Sequence, residues 1–378
     1  MKKLTLILML IIGFFNLNAQ ESGGKLVNVI IPAPSLTGNL LQTPDKQPIS
    51  IYLPESYDKS DKKYPVVYYL PGYGSYTYYY TQFGVFKGFL LKRSMDKLIS
   101  EGKLKDMIVV IPNAVNIFAG HFYVNSPVSG NWEDFIVKDL VSYIDKTYRT
   151  LRKSTSRGIS GHSMGGFGAL NIAMLHPDVF GLTYAIAPGL FDKGGLSKHA
   201  PLAGKKFAEV FFKKQKELNK MKDSKALASL LSFGFYEHMI LADYETAFCF
   251  AYGLAFSPNP NIKPPYINYL YDKKNGKLVR NKENWKAYES GFGNLEEKVN
   301  KYKENLLKLK AIGIDYGNKD YYKWIPEGCK YFSQLLKKNN IKHKLSEYKG
   351  GHEDKLRERM EGHMFPFFSE NLDCSQSN

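Results

Sequence analysis

The sequence has few cysteines, and after its first twenty residues it has no long apolar run. Its 378 residues contain only Cys249, Cys329 and Cys374, which lie far apart in the chain. Three scattered thiols exclude a disulfide-framework protein, and their spacing does not match a zinc motif. Whether any two of them pair does not follow from the sequence. After residue 20, no stretch reaches the roughly 20 apolar residues that a membrane-spanning helix needs.

The chain is basic but has no concentrated basic stripe. Its formal net charge is +16, and its lysine pairs, for example at 213–214, 273–274 and 337–338, are spread along the sequence. A nucleic-acid-binding surface would show clustered basic residues with interleaved aromatic residues. We therefore expect no nucleic-acid partner. The composition, with 44% hydrophobic and 23% charged residues, is typical of a folded globular protein.

The first nineteen residues have the pattern of a signal peptide. Residues 2–3 are lysines, residues 4–15 are mostly apolar, and residues 16–20 turn polar around Ala19. This three-part order is typical of a secretory signal that is cleaved after a small residue. The apolar run is too short for the alternative, a membrane anchor. The sequence therefore predicts an exported protein, periplasmic or secreted, with no stable membrane anchor after cleavage.

Short apolar runs that end in turn signals predict a mostly parallel sheet. Residues 66–70, 107–111 and 184–187 are rich in β-branched, aromatic or small apolar residues, and each run precedes Pro-Gly or Pro-Asn. Such runs are typical of strands that are buried on both faces. Helical patterns lie between them, among them residues 132–148 with Asn131 as the expected N-cap. Strands alternating with helices indicate a doubly wound α/β fold.

Predicted strands also occur before residue 66, and they are interrupted after residue 189. Residues 27–31 and 49–53 are predicted to be antiparallel edge strands. The sheet resumes at residues 311–316 and ends at residues 342–348. Between them, the sequence predicts helices at 191–245, loops at 257–294 and one polar helix at 294–310. The interruption indicates a largely helical cap, at about residues 191–310, inserted above the sheet of a single α/β domain at 20–378.

One short motif predicts a nucleophile. Residues 161–165 read Gly-His-Ser-Met-Gly, which matches the G-x-S-x-G nucleophile elbow with Ser163 at its centre. A short strand-like segment precedes the motif and an Ala- and Leu-rich helix follows it. This is the strand–turn–helix context that lifts a serine hydroxyl above the sheet. A Gly-rich turn without a catalytic role is the alternative.

A serine needs a base, and the base needs an acid to orient it. In α/β-hydrolases these residues follow the serine in the order acid, then histidine. His352 comes after two glycines at the end of the last predicted strand, whereas His343 lies within that strand and His363 within a helical pattern. His352 is therefore the expected base.

Three acidic residues are candidates for the orienting acid. Asp315 falls at the end of a predicted strand, and Asp320 lies in the loop beyond Gly317. Glu353 is next to His352, too close in sequence to be favoured. Acids in this fold work from loops, so Asp320 is favoured, with Asp315 as a structural alternative that would bind loop N–H groups.

Two backbone N–H groups are expected to form the oxyanion hole. One is that of Met164, which directly follows the nucleophile. The other is expected from the loop after the strand at residues 66–70, where Gly72 makes Tyr73 the natural donor. The alternative for this loop is an ordinary turn between a strand and a helix.

Residues 160–170, Ser-Gly-His-Ser-Met-Gly-Gly-Phe-Gly-Ala-Leu, resemble the signature of the esterase D-like family of α/β-hydrolases. This family includes feruloyl and acetylxylan esterases, enterochelin esterases, S-formylglutathione hydrolases and mycolyltransferases. The resemblance covers roughly residues 25–190 and 310–372, and it implies that Asp320 is the acid because family members carry it after such a glycine. The chain departs from the pattern in its Leu-Pro-Gly at residues 70–72, where many members have Leu-His-Gly, and in its long cap.

These features predict a serine carboxylesterase that works through an acyl-enzyme and needs neither metal nor cofactor. Export favours external substrates, such as small-molecule esters or acyl esters of polysaccharide. Two alternatives remain: an acyltransferase that uses the same acyl-enzyme, and a non-catalytic binding protein on the same fold.

Overall fold

The computed structural model of the protein describes residues 23–220 and 244–376. The predicted signal peptide, residues 1–19, lies outside the described residues, as does part of the predicted cap, residues 221–243. No helix in the described ranges is long and apolar enough to cross a membrane.

An eight-stranded, mostly parallel sheet forms the centre of the fold. The strands of the described residues are β1 (Lys25–Pro32), β2 (Lys46–Leu53), β3 (Val66–Leu70), β4 (Ile108–Pro112), β5 (Asn125–Ser126), β6 (Gly130–Asn131), β7 (Arg157–His162), β8 (Leu182–Ile186), β9 (Tyr271–Lys274), β10 (Lys277–Arg280), β11 (Ala311–Gly317) and β12 (Lys344–Tyr348). The large sheet has the order β1-β2-β4-β3-β7-β8-β11-β12, while β5–β6 and β9–β10 are separate two-stranded pairs.

The sheet confirms the predicted edge and the predicted parallel centre. β1 pairs antiparallel with β2, and β2 pairs antiparallel with β4. From β4 to β12 all neighbouring strands are parallel. After β3 the chain moves to β4 on one side and later to β7 on the other side. The carboxyl ends of β3 and β7 therefore flank a topological switch point, where α/β sheets bind their ligands.

Fourteen α-helices form in the described residues. They are α1 (Thr77–Thr81), α2 (Leu91–Ser100), α3 (Trp132–Asp134), α4 (Val141–Thr147), α5 (Met164–Leu175), α6 (Ala200–Ala203), α7 (Lys205–Leu218), α8 (Tyr244–Phe256), α9 (Lys282–Glu289), α10 (Leu295–Lys301), α11 (Lys303–Lys308), α12 (Trp324–Lys338), α13 (Leu356–Arg359) and α14 (Phe365–Asn371).

Alternate residues of β3 belong to two separate hydrophobic layers. Tyr68 and Leu70 belong to the layer that contains residues of α5, whereas Val67 and Tyr69 belong to the layer that contains residues of α2 and α14. All five residues of the strand are buried. Because strand side chains alternate between faces, a strand covered on both sides must be apolar throughout, as the sequence of β3 is.

The predicted helix at residues 132–148 forms with an interruption. A π-helical turn at Phe135–Leu140 separates α3 from α4. Asn131 lies at the N-cap position, as predicted, but its side chain makes no capping hydrogen bond. Asn125, which pairs with Asn131 across β5 and β6, accepts a hydrogen bond from the Asp134 N–H through its Oδ1 at 3.1 Å.

Within the predicted cap, the loop prediction for residues 257–294 is partly wrong. β9 and β10 form a hairpin through Asn275-Gly276, both with positive φ, and an Asn-Gly pair is a strong hairpin signal. α9 follows, capped by Asn281, whose Oδ1 accepts from the Asn284 N–H at 3.1 Å. The single helix predicted at 294–310 is two helices, α10 and α11, separated at Tyr302.

Candidate active site

Ser163 lies at a sharp turn between β7 and α5. Its backbone has φ +57° and ψ −116°, a conformation that is strained for a residue with a side chain. The Ser163 N–H donates to the Ile186 carbonyl at 2.9 Å, and its carbonyl accepts from the Phe167 N–H at 3.0 Å. These bonds hold the turn against β8 and α5. The result is the geometry of a nucleophile elbow.

The two flanking glycines are required by close backbone contacts. A Cβ atom on Gly165 would lie 1.9 Å from the Leu70 carbonyl oxygen. A Cβ atom on Gly161 would lie 2.4 Å from the carbonyl group of Gly165. Both distances are far shorter than any real contact, so α5 can approach β3 and β7 only with glycine at these positions.

His352 and Asp320 form a buried hydrogen-bonded pair. The His352 Nδ1 lies 2.7 Å from Asp320 Oδ2, and the two residues are 3% and 0% exposed. Because the carboxylate can only accept, the shared proton belongs to Nδ1, which leaves Nε2 as a proton acceptor. The second oxygen, Asp320 Oδ1, accepts from the Tyr322 N–H at 2.8 Å. Both oxygens of the carboxylate are therefore held by hydrogen bonds.

Backbone hydrogen bonds join the loops that carry Asp320 and His352. The Lys319 N–H donates to the Gly350 carbonyl at 2.8 Å, and the Asn318 N–H donates to the Tyr348 carbonyl at 2.9 Å. A Cβ atom on Gly317 would lie 2.4 Å from the Gly350 oxygen, so the loops cross in contact. We call residues 317–320 and 348–352 the paired loops.

The structure places the alternative acids elsewhere. Asp315 is fully buried, and its Oδ2 accepts from Arg359 Nε at 2.9 Å and from the Tyr184 hydroxyl at 2.8 Å. Burial raises the pKa of Asp315 to about 6, although the Arg359 guanidinium opposes this shift. Glu353 is exposed.

The alternative histidines are also away from the pair. His343 has its Nε2 2.7 Å from the Ser333 hydroxyl and its Nδ1 2.9 Å from the Ile341 carbonyl. His363 lies in the π-helical turn at Met360–Met364. Among the residues that the structure describes, neither histidine has an acidic hydrogen-bond partner like that of His352.

His162 supports the pair in a way that the motif did not reveal. Its Nε2 lies 2.9 Å from the His352 carbonyl oxygen, so it must donate, and the two rings are 4.6 Å apart. Burial, together with the nearby His352, keeps the pKa of His162 well below its usual value. A neutral His162 therefore fixes the backbone of His352. In the sequence it occupies a variable position of G-x-S-x-G and carries no separate signal.

The loop after β3 lies directly against the elbow. A Cβ atom on Gly72 would lie 3.6 Å from the Ser163 Cβ. The next residue, Tyr73, is 7% exposed, and its hydroxyl donates to the Phe118 carbonyl at 2.8 Å. The Gly74 N–H donates to the Ala119 carbonyl at 2.8 Å. The loop that carries the expected oxyanion donor is thus held in place by the segment at residues 118–119, which lies outside the strands of the sheet.

A narrow pocket with mostly aromatic and aliphatic walls opens at Ser163. Its cavity volume is about 40 Å³, which is room for only a few water molecules. Its walls are Tyr73, Ser163, Met164, Gly189, Phe191, His199, Leu202, Phe248, Phe292, Tyr322, Trp324 and Ile325. Residues 191–310 contribute five of them: Phe191, His199, Leu202, Phe248 and Phe292. Tyr322 also connects the pocket to the base, because its ring lies 5.1 Å from that of His352.

Comparison with known families agrees with this geometry. The family model described as "Putative esterase" matches residues 42–356. The chain belongs to this esterase family. Its fold is that of the α/β-hydrolases, and family membership supports ester hydrolysis as its class of reaction.

Two curated relatives of this chain carry related names. An endo-1,4-beta-xylanase/feruloyl esterase of Xylanibacter ruminicola is 28% identical over 149 residues, which cover 38% of this chain and 20% of the relative. An esterase of Mycobacterium tuberculosis is 34% identical over 131 residues, which cover 33% of this chain and 25% of the relative. The chain therefore spans only about a fifth to a quarter of the length of these relatives.

Solved structures show the same fold over nearly the whole chain. A ferulic acid esterase has a TM-score of 0.58 at 20% identity and covers 93% of this chain and 99% of its own. An S-formylglutathione hydrolase from Agrobacterium tumefaciens has a TM-score of 0.52 at 16% identity, with 93% and 96% covered. At these identities the likeness establishes the fold alone.

Proposed function

We propose that the chain is an exported serine carboxylic-ester hydrolase that works through an acyl-enzyme. The observation that carries the proposal is the 2.7 Å bond between His352 and Asp320, two buried residues next to the strained elbow of Ser163. A serine hydroxyl becomes an effective nucleophile only when a base removes its proton. His352 has the hydrogen-bonded acid that such a base requires.

The reaction follows from these groups. Ser163 Oγ attacks the ester carbonyl carbon while its proton passes to His352 Nε2, and the carbonyl oxygen becomes an oxyanion. The N–H groups of Met164 and Tyr73 are the proposed donors to this oxyanion. Asp320 keeps the imidazole in the tautomer that accepts the proton and stabilises the resulting imidazolium.

His352 then returns the proton to the alcohol oxygen, and the carbon–oxygen bond of the ester breaks. Water attacks the acyl-serine, His352 takes a proton from that water, and the free acid leaves as Ser163 recovers its hydrogen. Every proton moves between His352 Nε2 and an oxygen of Ser163, of the leaving alcohol or of water, so the proposed steps require no metal or organic cofactor.

The shape of the site supports different positions for the acyl group and the alcohol part of the substrate. The pocket beside Ser163 is small and its walls are mostly aromatic, which suits an apolar acyl group. A carbohydrate alcohol is too large and too polar for this cavity and would lie outside it. The feruloyl esterase names among the relatives agree with acyl esters of carbohydrate as the substrate class. The signal-like residues 1–19 support an extracytoplasmic substrate.

A fluorophosphonate probe tests the nucleophile directly. The wild-type protein should be labelled at Ser163 and should hydrolyse p-nitrophenyl acetate. The Ser163→Ala variant should lose both properties while it keeps the wild-type thermal stability, because losing a triad nucleophile costs on the order of 10⁶ in kcat. Equal labelling of the variant would refute the assignment. No labelling of the wild-type protein would favour the non-catalytic alternative.

Product analysis separates the hydrolase from the acyltransferase. The free acid should be the main product whether or not an alcohol acceptor such as xylose is present. A new acylated sugar formed at the expense of the free acid would show that the acyl-enzyme excludes water, and the transferase would replace the hydrolase.

A further inference from the structure

Residues 116–123, which we call the supporting segment, contact the loop that carries the expected oxyanion donor. Two carbonyl groups of the segment accept hydrogen bonds from the Tyr73 hydroxyl and the Gly74 N–H, each at 2.8 Å. At the other end of the segment, the Tyr123 hydroxyl donates to the Pro71 carbonyl, also at 2.8 Å. One segment therefore holds the loop at both of its ends.

The supporting segment also contacts the second proposed oxyanion donor. A Cβ atom on Gly120 would lie 2.6 Å from the Tyr73 ring and 2.8 Å from Met164 Sδ. A Cβ atom on Gly168, in α5, would lie 2.6 Å from the Tyr123 ring. The segment is thus packed against the oxyanion loop on one side and against the helix that follows the nucleophile on the other.

The backbone of the supporting segment is strained. Ala119, Phe122 and Tyr123 have φ values of +66°, +54° and +56°. Such values are uncommon for residues with a side chain and are least favourable for bulky ones. Strain of this kind persists only where surrounding contacts hold it, and it is concentrated at functional sites.

His121 provides one of the contacts that hold Tyr123. Its Nδ1 accepts from the Tyr123 N–H at 3.2 Å, and its ring lies flat on Trp132 with a centroid distance of 3.5 Å and an interplanar angle of 3°. Burial keeps the pKa of His121 well below its usual value, so the ring stays neutral and Nδ1 can accept. The backbone that presents the Tyr123 hydroxyl is therefore fixed.

Hydrogen bonds to two successive carbonyl groups set the direction of the Tyr73 N–H. The Ser75 N–H donates to the Gly72 carbonyl at 3.1 Å. Because a trans peptide is planar, this bond places the Tyr73 N–H on the opposite side from that carbonyl. The Tyr123 hydroxyl fixes the preceding peptide plane through Pro71. Both Tyr123 and Pro71 are buried, so loss of the hydroxyl would leave a buried carbonyl unpaired.

We propose that Tyr123 is a positioning residue for the oxyanion hole, in which its hydroxyl fixes the Pro71 carbonyl and thereby the direction of the Tyr73 N–H. The proposal rests on the proposed function, because Tyr123 is fully buried, does not line the pocket and acts only through the loop. A donor that is aimed before the negative charge develops needs no rearrangement during the reaction. Tyr123 therefore affects the rate of the chemical steps and leaves binding of the ester unchanged.

The Tyr123→Phe variant tests this role by removing one oxygen atom. Its kcat for p-nitrophenyl acetate should fall about 10- to 100-fold, less than the roughly 10²–10³ that loss of a whole oxyanion donor costs. Acylation and deacylation both pass through an oxyanion, so both should slow by a similar factor and KM should stay within about twofold.

A transition-state analogue separates positioning from a general effect on stability. The adduct of 1,1,1-trifluoroacetone with Ser163 carries an oxyanion in the proposed hole. Its inhibition constant for Tyr123→Phe should rise by the same factor by which kcat/KM falls. A purely structural role would lower the melting temperature and leave the inhibition constant of the folded protein at its wild-type value.

Two further variants complete the test. Tyr52→Phe is the matched control, because Tyr52 is also buried and its hydroxyl donates to Asp96 Oδ1 at 2.7 Å. It should keep the wild-type kcat and inhibition constant, whatever its melting temperature. Tyr73→Phe removes the bond to the Phe118 carbonyl from the same loop. It should lower kcat and weaken the inhibitor as Tyr123→Phe does, and it decides the question if Tyr123→Phe does not fold.

The failures of the two proposals are distinct. If Ser163 reacts with the fluorophosphonate and Tyr123→Phe keeps the wild-type kcat, Tyr123 has no positioning role. A lower kcat with an unchanged inhibition constant overturns the proposal as well, as does an equal loss of kcat in Tyr52→Phe. If Tyr123→Phe does not fold, wild-type values for Tyr73→Phe overturn it. If the wild-type protein hydrolyses no ester and Ser163 is not labelled, the proposed function itself fails.

Discussion

Replacing Asp320 with asparagine should inactivate the protein through the tautomer of His352. The carboxylate accepts from His352 Nδ1 at 2.7 Å and from the Tyr322 N–H at 2.8 Å. An asparagine has only one acceptor oxygen, and the Tyr322 N–H requires it. The amide NH₂ then faces Nδ1, so the proton of the imidazole moves to Nε2. That nitrogen can no longer accept the proton of Ser163.

The magnitude follows from the loss of the base. A wrong-tautomer substitution in a serine triad costs roughly 10⁴ in kcat, which is about 5 kcal/mol in the activation free energy. The measurement is kcat for p-nitrophenyl acetate together with the rate of fluorophosphonate labelling. Because the amide has the size of the carboxylate, the Asp320→Asn protein should remain folded.

Asp315→Asn is the matched control, since Asp315 is buried on the strand that leads to the same loop. Its carboxylate binds Arg359 and Tyr184 and makes no hydrogen bond to His352. The control should remain folded, because an amide oxygen in the place of Oδ2 can still accept from Arg359 Nε and from the Tyr184 hydroxyl. Its folded fraction should keep most of the turnover. A folded Asp315→Asn protein with a 10⁴ loss, beside an active Asp320→Asn protein, would refute the reasoning.

Three further predictions follow from other parts of the molecule. Gly165→Ala should destabilise the protein by at least about 3 kcal/mol, the upper end of ordinary overpacking, since its Cβ would lie 1.9 Å from the Leu70 oxygen; a wild-type Tm and yield would contradict this. Burial raises the folded-state pKa of Asp315 to about 6, above the value near 3.9 of an unfolded chain. The stability that its protonation contributes should therefore be full below about pH 4 and lost as the pH rises through about 6. Denaturant titrations of the wild-type protein and of Asp315→Asn check this, and equal pH slopes for both would argue against it. N-terminal sequencing of the exported protein should begin at Gln20, and retention of residues 1–19 in the exported fraction would reject signal cleavage.

The features that could be predicted from the sequence are those that depend on residues close to one another in the chain. The five apolar residues of β3 predicted a strand covered on both faces, and the glycines around Ser163 predicted a tight strand-to-helix turn. Each depends on contacts that any α/β sheet imposes at that place. The choice between Asp315 and Asp320 also followed from position, because one lies within a strand and the other in the loop beyond it.

Other residues of the site depend on contacts between distant segments. His162 donates to the His352 carbonyl, 190 positions away in sequence. The ring of His199 contacts that of Trp324, 125 positions away in sequence, at a centroid distance of 5.3 Å. No spacing rule relates such pairs, because the path of the chain around the sheet brings them together. The hairpin at Asn275-Gly276 is different, since its turn signal was present in the sequence.

The paired loops have a consequence for engineering this protein. Residues 317–320 and 348–352 carry the proposed acid and base, and they touch through backbone atoms at Gly317 and Gly350. Two segments joined in this way cannot be redesigned separately, because a longer or bulkier version of one would displace the other. A loop taken from another esterase should therefore be transplanted together with its partner. The aromatic wall at residues 191–310 makes no such bonds to this crossing among the described residues, so it is the part to vary when a new acyl group is wanted.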